Sequence, residues 1–350
     1  MNLGGILKRH TVILGAGATI AAIPKGDKNG KKSSVMVGLI EKLGLGDLLE
    51  NINLTTKSKN LEDIYSELHE RKDCLNETKA LEEQLYNYFN SLEIPDIPTI
   101  YDFLILSLTT RDMIVTFNWD PLLVQAYNRC HKISKDLPNL HFLHGNTGVA
   151  FCKVHDEYGM KNMPCPKCGE RLSPVPLLYP VKEKNYNQDQ YINNAWDTAL
   201  ESIKGSHMLT IFGYSAPSSD KEAVSLLKKA WEQMKGTTME ELKEVSIIDI
   251  EPEDSLAKKW SNFTYSDHYY FTDNFFDSYL GMFPRRSGEM VFATTVLGLQ
   301  SNNNNGFKEG MTWRDIETSL VKLLSDEKTT EKSEDYPTYS KYFEEKNNKI

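Results

Sequence analysis

Thr11-Val12-Ile13-Leu14-Gly15-Ala16-Gly17-Ala18-Thr19 is the stretch whose reading decides the fold. Four apolar or β-branched residues read as a buried strand, and the two glycines after them read as a tight turn into a helix. A strand that feeds a glycine turn and then a helix is the first unit of a Rossmann-like, doubly wound α/β fold. In such a turn Gly15, Ala16, Gly17 and Thr19 can bring backbone amides close to a pyrophosphate. The third glycine of the dinucleotide fingerprint is missing, because Ile20 stands there. A strand-to-helix turn with no ligand is therefore the alternative.

Further strands are predicted at 113–117, 140–143, 208–212, 245–250 and 268–271, with helices at 191–203 and 221–234 between them. This alternation argues for a largely parallel sheet. Lys25 to Ser34 is polar, basic and glycine-bearing, and reads as a mobile loop. Residues 35–108 read as a helical insertion, with Leu81, Leu85, Tyr88, Phe89 and Leu92 on one face and Pro95 and Pro98 ending that element. Helices are also expected at 100–108, 273–280 and 312–324, with a loop at 301–306 and a solvated, charged tail from Ser325 onward. The expected division is a catalytic domain over 1–280 and a C-terminal helical extension with its tail over 281–350.

Candidate chemistry collects where strands end. Asn118 and Asp120 follow one strand, His144-Gly145 follows another, and Gly213-Tyr214-Ser215 and Asp249 follow two more. The carboxyl ends of the strands are where an open α/β sheet builds its ligand crevice, and Ser215 or Asp249 there can bind ribose or phosphate oxygens. Taken singly, Asn118 or Asp120 could simply cap the helix that follows Pro121. His141, a single residue between apolar neighbours, is expected to face away from the crevice.

Cys152-x2-His155 and Cys165-x2-Cys168 form two ligand pairs nine residues apart, with Pro164, Pro166 and Gly169 shaping the second turn. Thiolates and an imidazole in such pairs suit structural, tetrahedral Zn2+ in a small module over about 150–172. A metal-free loop with reduced thiols is the alternative. The remaining cysteines, Cys74 and Cys130, stand apart, so metal binding in a reducing compartment explains the set better than disulfides.

The chain of 350 residues carries 49 acidic against 40 basic side chains, a net charge of -9 that disfavours a dedicated nucleic-acid surface. No apolar stretch approaches the ~18 residues of a membrane span, and Met1 to Gly5 lacks a signal-peptide core. A cytoplasmic protein with no membrane partner is expected.

In order along the chain, GAGAT at 15–19, TFNWD at 116–120, LHGN at 143–146, the cysteine-histidine module and GYS at 213–215 resemble the sirtuin family over roughly residues 10–275. FGYSAPSSD at 212–220 and the proline-rich 174–180 are most similar to the sirtuin-like NAD-hydrolysing effectors of bacterial antiphage systems. The resemblance implies NAD+ as substrate. It places Gly15, Ala16 and Gly17 at the pyrophosphate, Asn118 and Asp120 at the nicotinamide ribose and carboxamide, and His144 as catalytic histidine. Gly213 and Ser215 would contact phosphate or ribose, and Asp249 the adenosine ribose.

Two departures point away from peptide deacylation. Ala22-Ile23-Pro24-Lys25-Gly26 has no phenylalanine or arginine where a deacetylating sirtuin carries them, and the segment that pairs with an acyl-lysine peptide is missing. The expected activity is NAD+ glycohydrolysis to nicotinamide and ADP-ribose by a triggered, NAD-depleting effector. Such an enzyme is expected to work as a homo-oligomer or with a regulatory defence protein. The alternatives are a protein deacylase or ADP-ribosyltransferase, and a non-catalytic module that senses NAD+ or ADP-ribose.

Overall fold

The computed structural model describes residues 8–33, 38–50, 52–180, 189–232, 243–261, 263, 269–295 and 306–330. The expectations for 1–5, for 233–234, for most of 301–306 and for the tail beyond 330 lie outside them. So do residues 35–37 at the start of the helical stretch.

The elements in chain order are β1 (His10–Leu14), α1 (Ala16–Ala22), α2 (Leu39–Lys42), α3 (Gly46–Glu50), α4 (Leu61–Glu70), α5 (Leu75–Asn90), α6 (Ile100–Leu106), β2 (Met113–Thr116), α7 (Leu122–Cys130) and β3 (Asn139–Phe142). Three short strands follow, β4 (Val149–Cys152), β5 (Glu157–Met160) and β6 (Ser173–Pro174). The chain then returns through α8 (Gln190–Lys204), β7 (Met208–Phe212), α9 (Lys221–Glu232), β8 (Glu244–Ile248), α10 (Glu253–Trp260) and β9 (Tyr269–Thr272). It ends with α11 (Tyr279–Met282), α12 (Ser287–Thr295) and α13 (Trp313–Thr330).

Six strands form one sheet in the order β3-β2-β1-β7-β8-β9, and every pairing in it is parallel. Counted along the sheet's own strands this is the Rossmann order, whose direction reverses between β1 and β7. β1, β2, β7 and β8 are buried along their whole length. Helices cover both faces of such a sheet, which is why these strands read as continuous apolar runs. α8 shows how sequence sets the covering layer. Asp189 accepts from the amides of Tyr191 and Ile192 to start the helix, and Ile192, Ala195, Trp196, Ala199 and Ile203 form its buried stripe.

β4, β5 and β6 make a separate antiparallel sheet in the order β5-β4-β6. Its own core is small: Ala150, Cys165 and Leu172.

The segment from Lys25 is a loop over the described residues, and it is anchored: Asp27 is buried and its carboxylate accepts from the amides of Asn29, Lys31 and Glu93. Lys28 adds an ion pair to Asp96 at 2.9 Å. One buried carboxylate that satisfies three amides fixes a loop whose composition alone suggests freedom.

The amino edge of the sheet is closed by α12. His10 Nδ1 lies 2.7 Å from Ser287 Oγ and its Nε2 lies 2.7 Å from Thr210 Oγ1. Arg111 donates to the buried Glu289 at 2.8 Å. No helix among the described residues is long and apolar enough to cross a membrane.

Candidate functional site

The switch point between β1 and β7 is built from two glycine turns pressed together. Gly15 N donates to Phe212 O at 3.0 Å and Gly17 N donates to Gly213 O at 2.9 Å. A Cβ on Gly213 would stand 2.3 Å from Ala18 N, and its φ of +59° is a left-handed conformation that favours glycine. These glycines therefore serve backbone-to-backbone approach within the chain. Ala16, Gly17 and Gly213 remain half-buried and Ser215 is exposed, so this turn pair still forms the rim of the crevice.

Asn118 follows β2 beside Gly15. Its Nδ2 donates to Gly15 O at 2.8 Å and to Thr19 Oγ1 at 3.0 Å, with Tyr101 OH 3.3 Å away. Thr19 Oγ1 in turn donates to Asp120 Oδ2 at 2.8 Å and lies 2.7 Å from Tyr101 OH. An amide tied by its nitrogen in this way leaves its carbonyl oxygen as the acceptor it can present to a ligand. Asp120 is buried, and Leu122 N donates to its other oxygen at 3.1 Å. Burial raises the Asp120 carboxyl above the usual carboxylate range, against the lowering effect of its Thr19 and Leu122 bonds. Both of its oxygens face inward, so Asp120 starts α7 and holds Thr19 at the same time.

Tyr101 is a site residue that sequence reasoning missed. It sits within an apolar helical run, where nothing marks its hydroxyl as different from a core ring.

The β3 end is locked to the β2 end. Asn146 Nδ2 donates to Asn118 O at 3.2 Å and to Asp120 O at 2.6 Å, while Thr147 N donates to Trp119 O at 2.8 Å. His144 is buried, edge-on to Phe117 with ring centroids 4.8 Å apart. Its Nε2 is 3.8 Å from Asp220 Oδ1, and Tyr214 OH donates to Asp220 Oδ2 at 3.0 Å. Asp220, also missed, belongs to the short helical turn after the Gly213 loop. Phe117 and Tyr214 stack at 4.4 Å with their planes 9° apart, across the ends of β2 and β7.

A strap at 174–180 covers this corner. Gly145 has φ +77°, and a Cβ there would meet Pro176 O at 1.9 Å. Leu178 N donates to His144 O at 2.9 Å, and Tyr179 packs on Tyr65 and Trp119 at 5.3 and 5.6 Å. Asp249 lies at the carboxyl end of β8, where its Oδ1 accepts from Glu251 N at 3.0 Å. His141 points elsewhere, 6.1 Å from the ring of Tyr158.

Cys152, His155, Cys165 and Cys168 come together with all ligand atoms within 4.8 Å of one another. Cys152 Sγ and Cys165 Sγ are 3.6 and 3.7 Å from His155 Nδ1, and Cys152 Sγ is 4.0 Å from Cys168 Sγ. Tetrahedral zinc with Zn–S about 2.3 Å and Zn–N about 2.0 Å spaces its ligands roughly 3.5–3.8 Å apart. The four residues fit that ion and leave no open coordination position, so its part there would be structural.

No protein-family model matches the chain, and no curated protein matches it. Among solved structures it is similar to one described as "Structural Basis for the Mechanism and Regulation of Sir2 Enzymes". There the identity is 16%, the TM-score 0.39, and the match covers 81% of this chain and 92% of that one. It is also similar to a Sir2 bound to acetylated peptide (10% identity, TM-score 0.37, 83% and 93% covered). A Sir2 homolog-NAD complex gives 14% identity, TM-score 0.34, and 81% and 87% covered. The α/β assignment itself rests on the strand order and register above.

Proposed function

We propose that the chain is an NAD+ glycohydrolase. The observation that carries this reading is the pairing of His144 Nε2 with Asp220 Oδ1 at 3.8 Å, with His144 following β3 and Asn118 following β2 at the carboxyl end of a Rossmann-ordered sheet. The sequence resemblance supplies the substrate.

Cleavage of the bond between nicotinamide and its ribose develops oxocarbenium character, and neutral nicotinamide leaves with the bonding pair. The site must hold the ribose, stabilise positive charge and deliver water. In this scheme the Asn118 carbonyl orients a ribose hydroxyl or the water. His144 takes the proton as water adds to the ribose carbon, and Asp220 faces the imidazolium that forms. ADP-ribose, nicotinamide and one proton balance NAD+ and water. Asp120 acts through Thr19 as a positioning residue, in place of a direct carboxamide anchor. Gly17, Ser215 and Asp249 line the rim that the dinucleotide crosses.

His144 is only 5% exposed and lies edge-on to Phe117, so the dinucleotide reaches its ring only after the residues around it shift. That closed state favours an enzyme held idle until triggered, as an effector of antiphage defence must be, through an oligomer or a regulatory partner. It equally suits the second reading, a module that binds NAD+ or ADP-ribose without turnover.

The test is incubation with NAD+ and no acceptor protein, with products resolved chromatographically. Equimolar nicotinamide and ADP-ribose are expected once the site is opened by oligomerisation, a partner or a nucleotide trigger. Consumption only when an acceptor protein is added would replace the hydrolase with a transferase or deacylase.

A further inference from the structure

A cavity of about 310 Å3 lies between the antiparallel sheet and α8, away from the switch-point crevice. Its walls are His141, Phe151, Tyr158 and Tyr191, and Asp156 and Asp197 stand on its rim. The rings are arranged as an angled enclosure. Phe151 meets Tyr191 edge-on at 5.6 Å, Tyr158 meets Tyr191 edge-on at 6.4 Å, and His141 is tilted to Tyr158 at 6.1 Å. Tyr158 keeps 49% of its surface exposed, a large ring left open at the mouth.

We infer that this cavity binds the cationic head of an arginine side chain from a protein partner. Aromatic faces carry negative potential and attract a guanidinium or ammonium group, and two carboxylates at the mouth add to that field. Among the described residues, no lysine or arginine lines this cavity. Burial lowers His141 to about 4, so its ring is neutral at pH 7. Lys153 faces Asp189 at 3.9 Å and Lys167 faces Glu157 at 2.9 Å, so both neighbouring lysines have acidic partners of their own. A guanidinium spreads its charge over a plane that stacks on rings and is weakly hydrated, which favours arginine over lysine.

The surroundings favour a side chain over a free metabolite. A second cavity of about 230 Å3 shares Phe151 and Tyr191 with the first and runs beneath the exposed β6 edge at Ser173 and Pro174. That groove gives the flanking residues of a peptide somewhere to lie. The surface uses none of the groups proposed for NAD+ cleavage.

Ligand-observed saturation-transfer NMR on the full chain tests the inference, with N-acetyl-arginine amide as probe and N-acetyl-citrulline amide as its neutral isostere. The arginine amide is expected to bind saturably and the citrulline amide at least about fivefold more weakly. Tyr158→Ala and Asp197→Asn are each expected to weaken arginine binding by at least about fivefold, with circular dichroism and zinc content unchanged. Asp197 is an exposed residue of α8, so its variant keeps the test valid if Tyr158→Ala disturbs the small sheet. Equal binding of the two amides, no saturable binding, or unchanged binding by Asp197→Asn would overturn the site. Tighter binding of free arginine than of the capped amide would overturn the protein-partner assignment.

Discussion

His144 Nε2 stands 3.8 Å from Asp220 Oδ1, and Tyr214 holds the other oxygen of that carboxylate. A carboxylate facing a general base fixes its ring and stabilises the imidazolium formed in the reaction. Asp220→Asn keeps the size of the side chain and removes the charge. Nicotinamide release is expected to fall by roughly tenfold to a hundredfold, as expected when a base loses its orienting partner. Steady-state kinetics should place the loss mainly in kcat. An unchanged kcat would remove Asp220 from the site.

The cysteine-histidine module is expected to depend on zinc, because its own core amounts to Ala150, Cys165 and Leu172. Val149 and Phe151 tie one face of the sheet to the main core, and a structural zinc ion would supply folding energy to the cysteine-histidine side directly. One zinc per chain is expected by elemental analysis. Cys165→Ser should lose it and expose the module to limited proteolysis. A metal-free preparation with the same proteolytic resistance would count against the zinc site.

Gly213→Ala sets a Cβ 2.3 Å from Ala18 N and 2.6 Å from Gly17 Cα, at φ +59°. Backbone on both sides cannot yield without separating the two turns, so a loss of about 2–4 kcal/mol is expected in denaturant unfolding. Gly30→Ala is the control. Its φ is +78° with nothing within 4 Å of the added carbon, so it should cost only about 1 kcal/mol.

The pH dependence of stability follows from buried groups with displaced pKa values. Burial lowers His10 to about 3 and His141 and His207 to about 4. The unfolded chain therefore binds more protons than the folded chain between about pH 4 and 6.5, and stability falls as pH drops through that window. Glu244, raised to about 7 by burial, has the opposite sign, losing stability as pH rises from about 4.5 to 7. Asp120 and Glu289, also raised by burial, share the sign of Glu244, so three carboxyls oppose three imidazoles. Glu244→Gln removes one opposing group, so the unfolding free energy should fall more steeply on acidification from pH 6.5 to 5 in that variant than in the native chain. Identical profiles in the two proteins would contradict these assignments.

The core strands were legible because a parallel sheet covered on both faces needs unbroken apolar runs, as in 11–14 and 208–212. Their boundaries moved by a residue or two, as where 245–250 gave way to Glu244–Ile248. α10 escaped notice, and α12 was expected only as part of a helical extension over 281–350. The buried α12 carries Ser287 and Glu289 as partners for His10 and Arg111, so its sequence lacks an amphipathic period. The cysteine-histidine cluster was legible because its spacing is local. Tyr101 and Asp220 were not, because each earns its place only through contacts made across the fold. Asp27 was hidden for the same reason, its third amide coming from Glu93.

Nicotinamide release from NAD+ by the purified chain, compared with Asn118→Ala and His144→Ala, tests the central claim most directly. The account predicts measurable release by the native chain once its closed site is opened by oligomerisation, partner or nucleotide trigger. It predicts a loss of at least about a hundredfold in each variant, with circular dichroism and zinc content retained. Full turnover in both folded variants would contradict it.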